Sequence, residues 1–587
     1  MRAIRELPLA ASLLLVGFAL FFCGGPGSGS LPWLGGAVLL VVVVLIATRG
    51  LPSGWASLVP LAALTAWLAL SISWSALPDH SWDYANRTFV YLGFALLGLW
   101  LAGRTRALAL GLMALFAAVL VWSLLGKVLP VVYDYGPPEV GRLRGPIGLW
   151  NQLALICTFA LPLALWRRRL EGALLAYAAL VALLLTYSRG GVITAVLVAA
   201  AWLALDEERL ESARTLLAAA LPAAAVVGIA FALPGVTGDG ESLHTRWRDG
   251  LIFGALLIVG AVAVSLLRRV PLPRVPPRVL IGAGVAVIAV LVVVFVVKGG
   301  GSGSVGNTGA RLTATSSNFR FTWWGQAVRG WEHDKLLGTG AGTFHVTNLL
   351  YRHSYLDYTT EPHNLPLQFL TEAGIVGLAL FLLAALALLR GTHHRRKHEL
   401  ALALLLPAYL VHSLVDIDWD FVAVSAPAFL AAGALAGRVE LRRASAFGSL
   451  LAGGAALLLF GVLLMPWLGE RWSDDASVAS PSAHVISLAK KARSVDPLLV
   501  EPLWWEADAQ TDPNKAVALY QAAVDKQPKN AQTWLAAGLY AVTLGCPRLA
   551  YYYLERFTEL DPKARASPGA DAYREALKQV NTGKPKC

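Results

Sequence analysis

The chain has 587 residues, 56% of them hydrophobic and only 15% charged, whereas soluble globular domains carry about 25% charge. Its mean hydropathy is +0.59 and its pI is near 9.6, which excludes a soluble enzyme or a disordered chain as the main architecture. The formal net charge of +12 suggests nucleic acid at first sight, but its distribution assigns it to membrane topology.

Apolar runs long enough to cross a bilayer, about fifteen in all, recur from the N-terminus onward. They cover residues 7–23, 31–48, 55–74, 88–102, 106–125, 150–166, 171–187, 190–205, 215–233, 250–267, 279–297, 366–389, 398–415, 421–436 and 447–467. The fold class is therefore an all-α polytopic membrane protein, with a multi-span membrane domain over residues 1–467. Arg2 and Arg5 precede the first run, but "FFCGG" lacks the small-residue cleavage pattern of a signal peptide, so the run reads as a retained helix.

With a cytoplasmic N-terminus and alternating spans, the inner loops are "ATRG", "AGRTRA", "WRRRLEG", "DEERLESAR", "LRRVPLPRVPPR", "LRGTHHRRKHE" and "GRVELRRAS". Together with the N-terminus they hold roughly twenty Lys and Arg, against about seven in the short outer loops, the asymmetry of the positive-inside rule. No nucleic acid is needed to explain the charge, and "THHRRKHE" reads as a cytoplasmic anchor rather than a metal site. An odd number of spans puts the C-terminus outside. Residues 298–365 then form a large outer loop. It opens with a flexible Gly/Ser/Thr stretch and continues with "NFRFTWWGQAVRGWEHD", a Trp-rich amphipathic helix suited to the membrane surface.

Residues 470–587 change character to mixed charge and helical periodicity. "SVDP" (494–497), "KQPKN" (526–530) and "ELDP" (559–562) recur near the period of a 34-residue helix-turn-helix repeat, each closing one helix pair. The region reads as an extracytoplasmic tetratricopeptide-like domain, either a surface for a protein partner or a plain helical cap. Cys23, Cys157, Cys546 and Cys587 are too few and scattered for a zinc site or a disulfide framework, leaving a Cys546–Cys587 pair or two free thiols.

Three polar stretches each precede a helix entering from the outer side: "GRLRGPIGLWNQLA" (141–154), "TYSRGG" (186–191) and "EPHNLPLQFLTEAGIVG" (361–377). Helix N-termini carry unpaired N–H groups and about half a positive charge, and so attract anions. Arg144 and Arg189 stand beside two such ends, and Arg320 opens the amphipathic segment. Guanidinium groups grip a phosphate or diphosphate in bidentate fashion. The alternative, arginines snorkelling to lipid headgroups, leaves Gly190 and Gly191 unexplained.

"HNLPLQFLTEAGIVG" fits H-[NSQ]-x9-G-x-x-[GTY], with His363, Asn364, Gly374 and Gly377 in the fixed places. That pattern resembles the O-antigen ligases of the outer-leaflet polysaccharide ligase and polymerase superfamily. "RLRGPIGLWNQLA", "SRGG", "RFTWWGQAVRGWEHDKLLGTGAGTF" and "HSLVDIDWD" (412–420) resemble the same superfamily in the same order, over about residues 140–435. The spans at 215–297 look inserted relative to simpler ligases. The resemblance implies a C-type glycosyltransferase architecture in the bacterial cytoplasmic membrane, acting without metal, nucleotide or other cofactor. It implies a donor glycan on undecaprenyl diphosphate and a lipid, glycan or protein acceptor. The matching motifs carry diphosphate binding to Arg189 and Arg320, with Arg311 and Arg329 as neighbours that compete for the second place, and acceptor activation to His363. Arg144 joins the anion site on the helix-end argument.

Among the remaining polar residues, Asn364 accompanies the histidine, and Glu372 lies one or two turns below it. Asp416 and Asp418, with Asp420, share a tight outer turn, where they position the arginines, touch sugar hydroxyls or cap the structure. "GTGAG" (338–342) lacks the lysine and strand of a nucleotide loop and reads as a turn. Within the same superfamily, a protein O-oligosaccharyltransferase or a surface-polysaccharide polymerase fits the residues equally. From another class, a lipid-linked glycan transporter should place ionisable residues at mid-membrane on broken helices, and these spans carry almost none.

Overall fold

The computed structural model describes residues 2–22, 27–132, 141–270, 309–312, 316–391, 396–564 and 571–581. The apolar run 279–297, most of the Gly/Ser/Thr stretch, residues 392–395 of the basic loop, Cys23 and Cys587 lie outside these. Among the described residues the regular structure is helical, apart from a two-stranded antiparallel ribbon pairing Leu51–Ser53 with Arg438–Arg442. The strands are too short, and their runs too mixed, to register as a sequence period.

Among the described residues, six helices are long and apolar enough to cross a membrane: Leu31–Arg49, Ala102–Val128, Arg209–Ala230, Leu243–Leu267, Leu365–Arg390 and Ala446–Val478. Five shorter apolar helices accompany them, including Leu170–Leu185, Arg189–Leu205 and Val422–Ala436. The chain is an all-α membrane protein. One run divides unexpectedly: residues 398–415 form two short helices, Lys397–Ala403 and Leu405–His412, broken at Leu404.

Contacts group the chain into two compact units, each discontinuous in sequence. The first comprises Met1–Pro60, Val90–Phe321 and Ala384–Gly453; the second comprises Leu61–Phe89, Thr322–Leu383 and Gly454–Cys587.

The first unit is organised around the helix Trp150–Arg167, in which every residue from Asn151 to Leu165 is buried. A helix apolar on all sides must be surrounded. This one packs on Thr105–Val128, Leu170–Leu185, Arg189–Leu205, Lys397–Ala403, Leu405–His412 and Val422–Ala436. Small residues let backbones touch elsewhere in the unit: a Cβ on Gly433 would lie 1.9 Å from the Ala95 carbonyl oxygen, the small-residue packing favoured in lipid. Polar contacts collect the loops into two sets. Arg104 meets Glu6, Arg168 meets Asp206 and Glu208, and Lys397 meets Glu208, all from loops assigned above to the inner side. Arg142 meets the Thr186 carbonyl, the Gly141 N–H meets Asp239, and Asn151 meets Asp416, all from the opposite set.

Helix Arg320–His333, which belongs to the second unit from Thr322 onward, is amphipathic as its sequence requires. Its buried face of Trp323, Gln326, Ala327 and Gly330 is covered by protein, since the Thr371 hydroxyl donates to the Ala327 carbonyl at 2.8 Å. Six helices from Ser482 to Asn581 pack each on the next. "KQPKN" closes the hairpin of Glu501–Asp508 with Pro513–Lys526, and "ELDP" closes that of Ala531–Thr543 with Pro547–Leu560. Alternating alanines and large residues make their core, with Tyr520, Trp534, Tyr553 and Leu554 set against Ala507, Ala516, Ala537 and Ala550. Cys546 is disulfide-bonded, whereas Cys157 is a buried free thiol. A cavity of about 290 Å³ in this unit is lined by Asp79, Asp83, Glu470, Asp474, Asp496 and Glu501.

Candidate active site

Ser188 caps helix Arg189–Leu205, its hydroxyl accepting the Gly191 N–H at 3.2 Å. Arg189 thus stands at the first helical position, where the helix end is positive. A Cβ on Gly191 would lie 2.4 Å from that of Ala154, so this glycine lets the helix press against Trp150–Arg167. Gly190 faces a cavity of about 210 Å³.

Arg189, Arg311 and Arg320 all line that cavity, opposite an apolar wall that includes Ile193, Leu197 and Leu414. Arg189 donates to the Ser316 carbonyl at 2.7 Å, and Arg320 donates to the Val415 carbonyl at 2.7 Å and to Asp416 at 3.3 Å. Burial, reinforced by repulsion from Arg320 and Arg189, pushes the Arg311 guanidinium down to about 10. Asp416 pairs with Arg320 and acts on Arg311 as well, and a group with two or more negative charges would relieve the repulsion among the three arginines. Of the candidates for the second arginine, Arg311 and Arg320 both reach this cavity, while Arg329 stacks over the Tyr351 ring at 5.4 Å. Arg144 does not line it; it sits half-buried in the turn before Trp150, where its carbonyl accepts the Gly148 N–H.

The outer carboxylates hold the frame. Asp416, 2% exposed, also accepts from Asn151 at 2.6 Å and from Gln152 at 3.4 Å. Asp418, fully buried, pairs with His412 Nδ1 at 2.8 Å and accepts the Ser413 hydroxyl at 3.1 Å. Asp416 thus faces Arg320 and two amides, and Asp418 faces His412 and Ser413. Asn151 and Gln152 fall inside the quoted stretch 141–154 and His412 inside 412–420, but a neutral amide gives no signal of a carboxylate about 265 residues away, and the His412–Asp418 pair spans only six residues.

His363 lies in the second unit. Its ring stacks on Trp323, with centroids 4.9 Å apart and an interplanar angle of 19°. Asn364 is the cap of the following helix, its side chain accepting the Leu367 N–H at 3.0 Å. Two residues upstream, buried Glu361 accepts the Tyr84 hydroxyl at 2.7 Å and a hydrogen bond from Gln368. This network was also missed, although Glu361 and Gln368 fall inside the motif-bearing stretch.

Glu372 is buried and turned toward the backbone of the preceding loop. Its two oxygens accept the N–H groups of Gly342 at 2.8 Å and Phe344 at 3.0 Å, so it clamps the "GTGAG" turn. The motif glycine Gly374 interrupts its helix with φ of +67°, and a Cβ there would lie 2.0 Å from the Leu336 carbonyl oxygen.

Residues 243–382 match the family model described as O-antigen ligase. Over those residues the chain is similar to the O-antigen ligases. The matched residues include Arg320, Trp323, His363, Glu372, Gly374 and Gly377, while Arg189, Asp416 and Asp418 lie outside them. Among curated proteins, none matches the chain.

Backbone strain falls beside the same residues. Among the described residues, the non-glycine positions with positive φ are Arg168, Tyr187, Asn318, Phe319 and His363. Tyr187 lies two positions before Arg189, Asn318 and Phe319 immediately precede Arg320, and the last is the motif histidine itself. Such conformations cost of order 1–3 kcal/mol each and gather at functional sites. Among the described residues, no group of three His, Cys, Asp or Glu side chains could hold a metal ion.

Proposed function

We propose that this O-antigen ligase-family protein transfers a glycan from an undecaprenyl-diphosphate carrier to an acceptor hydroxyl at the outer face of the cytoplasmic membrane. The observation that carries the proposal is the cluster of Arg189, Arg311 and Arg320 around one cavity with an apolar wall, a chemistry matched to a lipid-borne diphosphate. The fifteen-span architecture, an outer location for the polar set of loops and a tetratricopeptide-like C-terminal region belong to the same proposal. The sorting of the loops by mutual contact supports it.

In the reaction, the acceptor oxygen attacks the anomeric carbon and the bond from that carbon to the diphosphate breaks. The electron pair stays on the leaving diphosphate, and preorganised guanidinium groups stabilise the growing charge in a partly dry site, where they act more strongly than in water. The acceptor hydroxyl gives its proton to His363, since imidazole is the side chain suited to general base work near neutral pH. The stack on Trp323 fixes the plane of that ring. Residues supplied by the chain cover charge neutralisation and proton transfer, so the proposal invokes no metal or nucleotide.

Mass spectrometry of glycosylated lipids, polysaccharides and proteins, in cells with and without the gene, tests the proposal and identifies the acceptor. Loss of one glycan-bearing species without the gene is expected. Unchanged glycosylation of all three classes sinks it.

A further inference from the structure

A buried ion pair joins the C-terminal repeats to the segment that carries the histidine. Arg352 and Asp561 are 8% and 4% exposed, and the guanidinium donates to both carboxylate oxygens, at 2.9 and 2.5 Å. Asp561 belongs to "ELDP", the turn that closes a repeat hairpin. Arg352 follows helix Phe344–Tyr351 and also donates to the Tyr355 carbonyl at 3.4 Å. The chain then wraps around Asp357, whose carboxylate accepts the N–H groups of His353 at 3.0 Å and Ser354 at 3.2 Å. The Asp357 carbonyl in turn accepts the Trp323 indole N–H at 2.9 Å and the Asn348 amide at 3.1 Å. Trp323 is the ring on which His363 stacks.

We propose that Asp561 and Arg352 are positioning residues, through which the repeat helices fix the His363 ring by way of Asp357 and Trp323. The inference rests on the reading of His363 as the general base. A stacked imidazole is only as well placed as the ring beneath it, and the Trp323 indole is held at its N–H by a carbonyl whose own loop is pinned by Arg352. Misplacement of a reacting group by about 1 Å costs on the order of a hundredfold in rate. A bidentate guanidinium–carboxylate pair supplies direction as well as attraction, which suits holding a loop in register. The repeats thus act on the rate of transfer, whatever partner they also bind.

The test compares Asp561→Asn, Trp323→Phe, Trp323→Leu and the charge swap Arg352→Asp/Asp561→Arg in the full-length purified protein. Turnover, donor KM and melting temperature are measured for each. Asp561→Asn should lower kcat roughly tenfold or more while donor KM stays near wild type, and the charge swap should recover part of the loss. Trp323→Phe keeps a ring but loses the N–H and should fall between wild type and Trp323→Leu. Wild-type kcat in a folded Asp561→Asn protein overturns the inference. Should that variant fold poorly, wild-type kcat in Trp323→Phe overturns it instead. His363→Gln is run in parallel. An active glutamine variant sinks the base assignment itself, whereas an inactive one beside fully active Asp561→Asn and Trp323→Phe sinks only the positioning role.

Discussion

The arginine cavity of the first unit and the histidine segment of the second solve opposite problems. In the cavity, Arg189, Arg311 and Arg320 are held together against their own repulsion, with Asp416 as the nearby carboxylate. In the segment around His363, the order comes from capping, stacking and backbone hydrogen bonds: Asn364 caps its helix, Trp323 stacks on the imidazole, and Glu361 is held by Tyr84 and Gln368. The first region stores charge; the second stores geometry. Its function should therefore suffer from loss of charge in one place and from loss of a proton acceptor or of shape in the other.

The largest effect should come from His363→Gln. Glutamine preserves polarity and reach but takes up no proton, so transfer should fall by about 10²–10⁴, the usual contribution of a general base, with donor binding intact. Initial rates and donor binding measured on the same preparation check this, and a glutamine variant with most of its activity would reduce His363 to a substrate-positioning group.

Removing charge from the cavity should cost somewhat less. Arg189→Ala and Arg320→Ala should each lower transfer by about 10²–10³, the scale for one lost transition-state donor, and should weaken donor binding as well. Lysine at either position should rescue poorly, since it lacks the planar fork. Arg320→Ala should still fold because Asp416 keeps Asn151 and Gln152. If both alanine variants bind donor normally, the cavity is not the diphosphate site.

Shape has its own test in the second unit. Gly374→Ala introduces a Cβ at 2.0 Å from the Leu336 carbonyl oxygen, at a backbone φ of +67°. With ψ of −171° as well, the backbone lies in a region open essentially to glycine alone, at a cost of order 1–3 kcal/mol, and the clash adds to that. A sharply lower melting temperature and yield are expected; a normal melting curve would mean that the break in the helix is dispensable.

The smallest effect concerns pH. Burial pushes the carboxyl groups of Asp79 and Glu501 up to about 7, in the cavity shared with His80, Asp83, Glu470, Asp474 and Asp496. A carboxyl that keeps its proton to higher pH when folded contributes stability that is full below about pH 4, the unfolded carboxylate value. That stability is lost as pH rises through about 7. The melting temperature should therefore fall by a few degrees between pH 5 and 8, and Asp79→Asn should flatten the slope. A melting temperature that rises over this range would contradict the assignment.

Much of the fold was legible because membrane helices announce themselves as long apolar runs. Helices such as Leu31–Arg49 and Thr105–Val128 follow their runs to within a few residues. The broken segment at Leu404 and the ribbon of Leu51–Ser53 with Arg438–Arg442 were not legible, because breaks and pairings inside protein are set by distant neighbours. At the candidate site, the motif singled out His363 and Gly374, and the structure gives the glycine its reason in the contact with Leu336. Arg311 could not be ranked against Arg320 and Arg329 from spacing alone, because a loop residue's direction depends on what it packs against. The carboxylates Asp416 and Asp418 fit in the sequence as groups that position arginines, touch sugar hydroxyls or cap the structure, and spacing does not choose among these roles. The partners of these two and of Glu372 include Arg320, His412, amides and backbone N–H groups, which a one-dimensional pattern cannot reveal.

The central claim is group transfer from a diphosphate-linked lipid. It is tested most directly by following both products when the purified protein, in lipid nanodiscs, is given polyprenyl-diphosphate-linked glycan with or without acceptor. The account predicts one polyprenyl diphosphate released for each glycan joined to acceptor, and an intact donor when acceptor is absent. An intact donor in the presence of every acceptor class, or a donor cut within the diphosphate to leave a monophosphate, would contradict it.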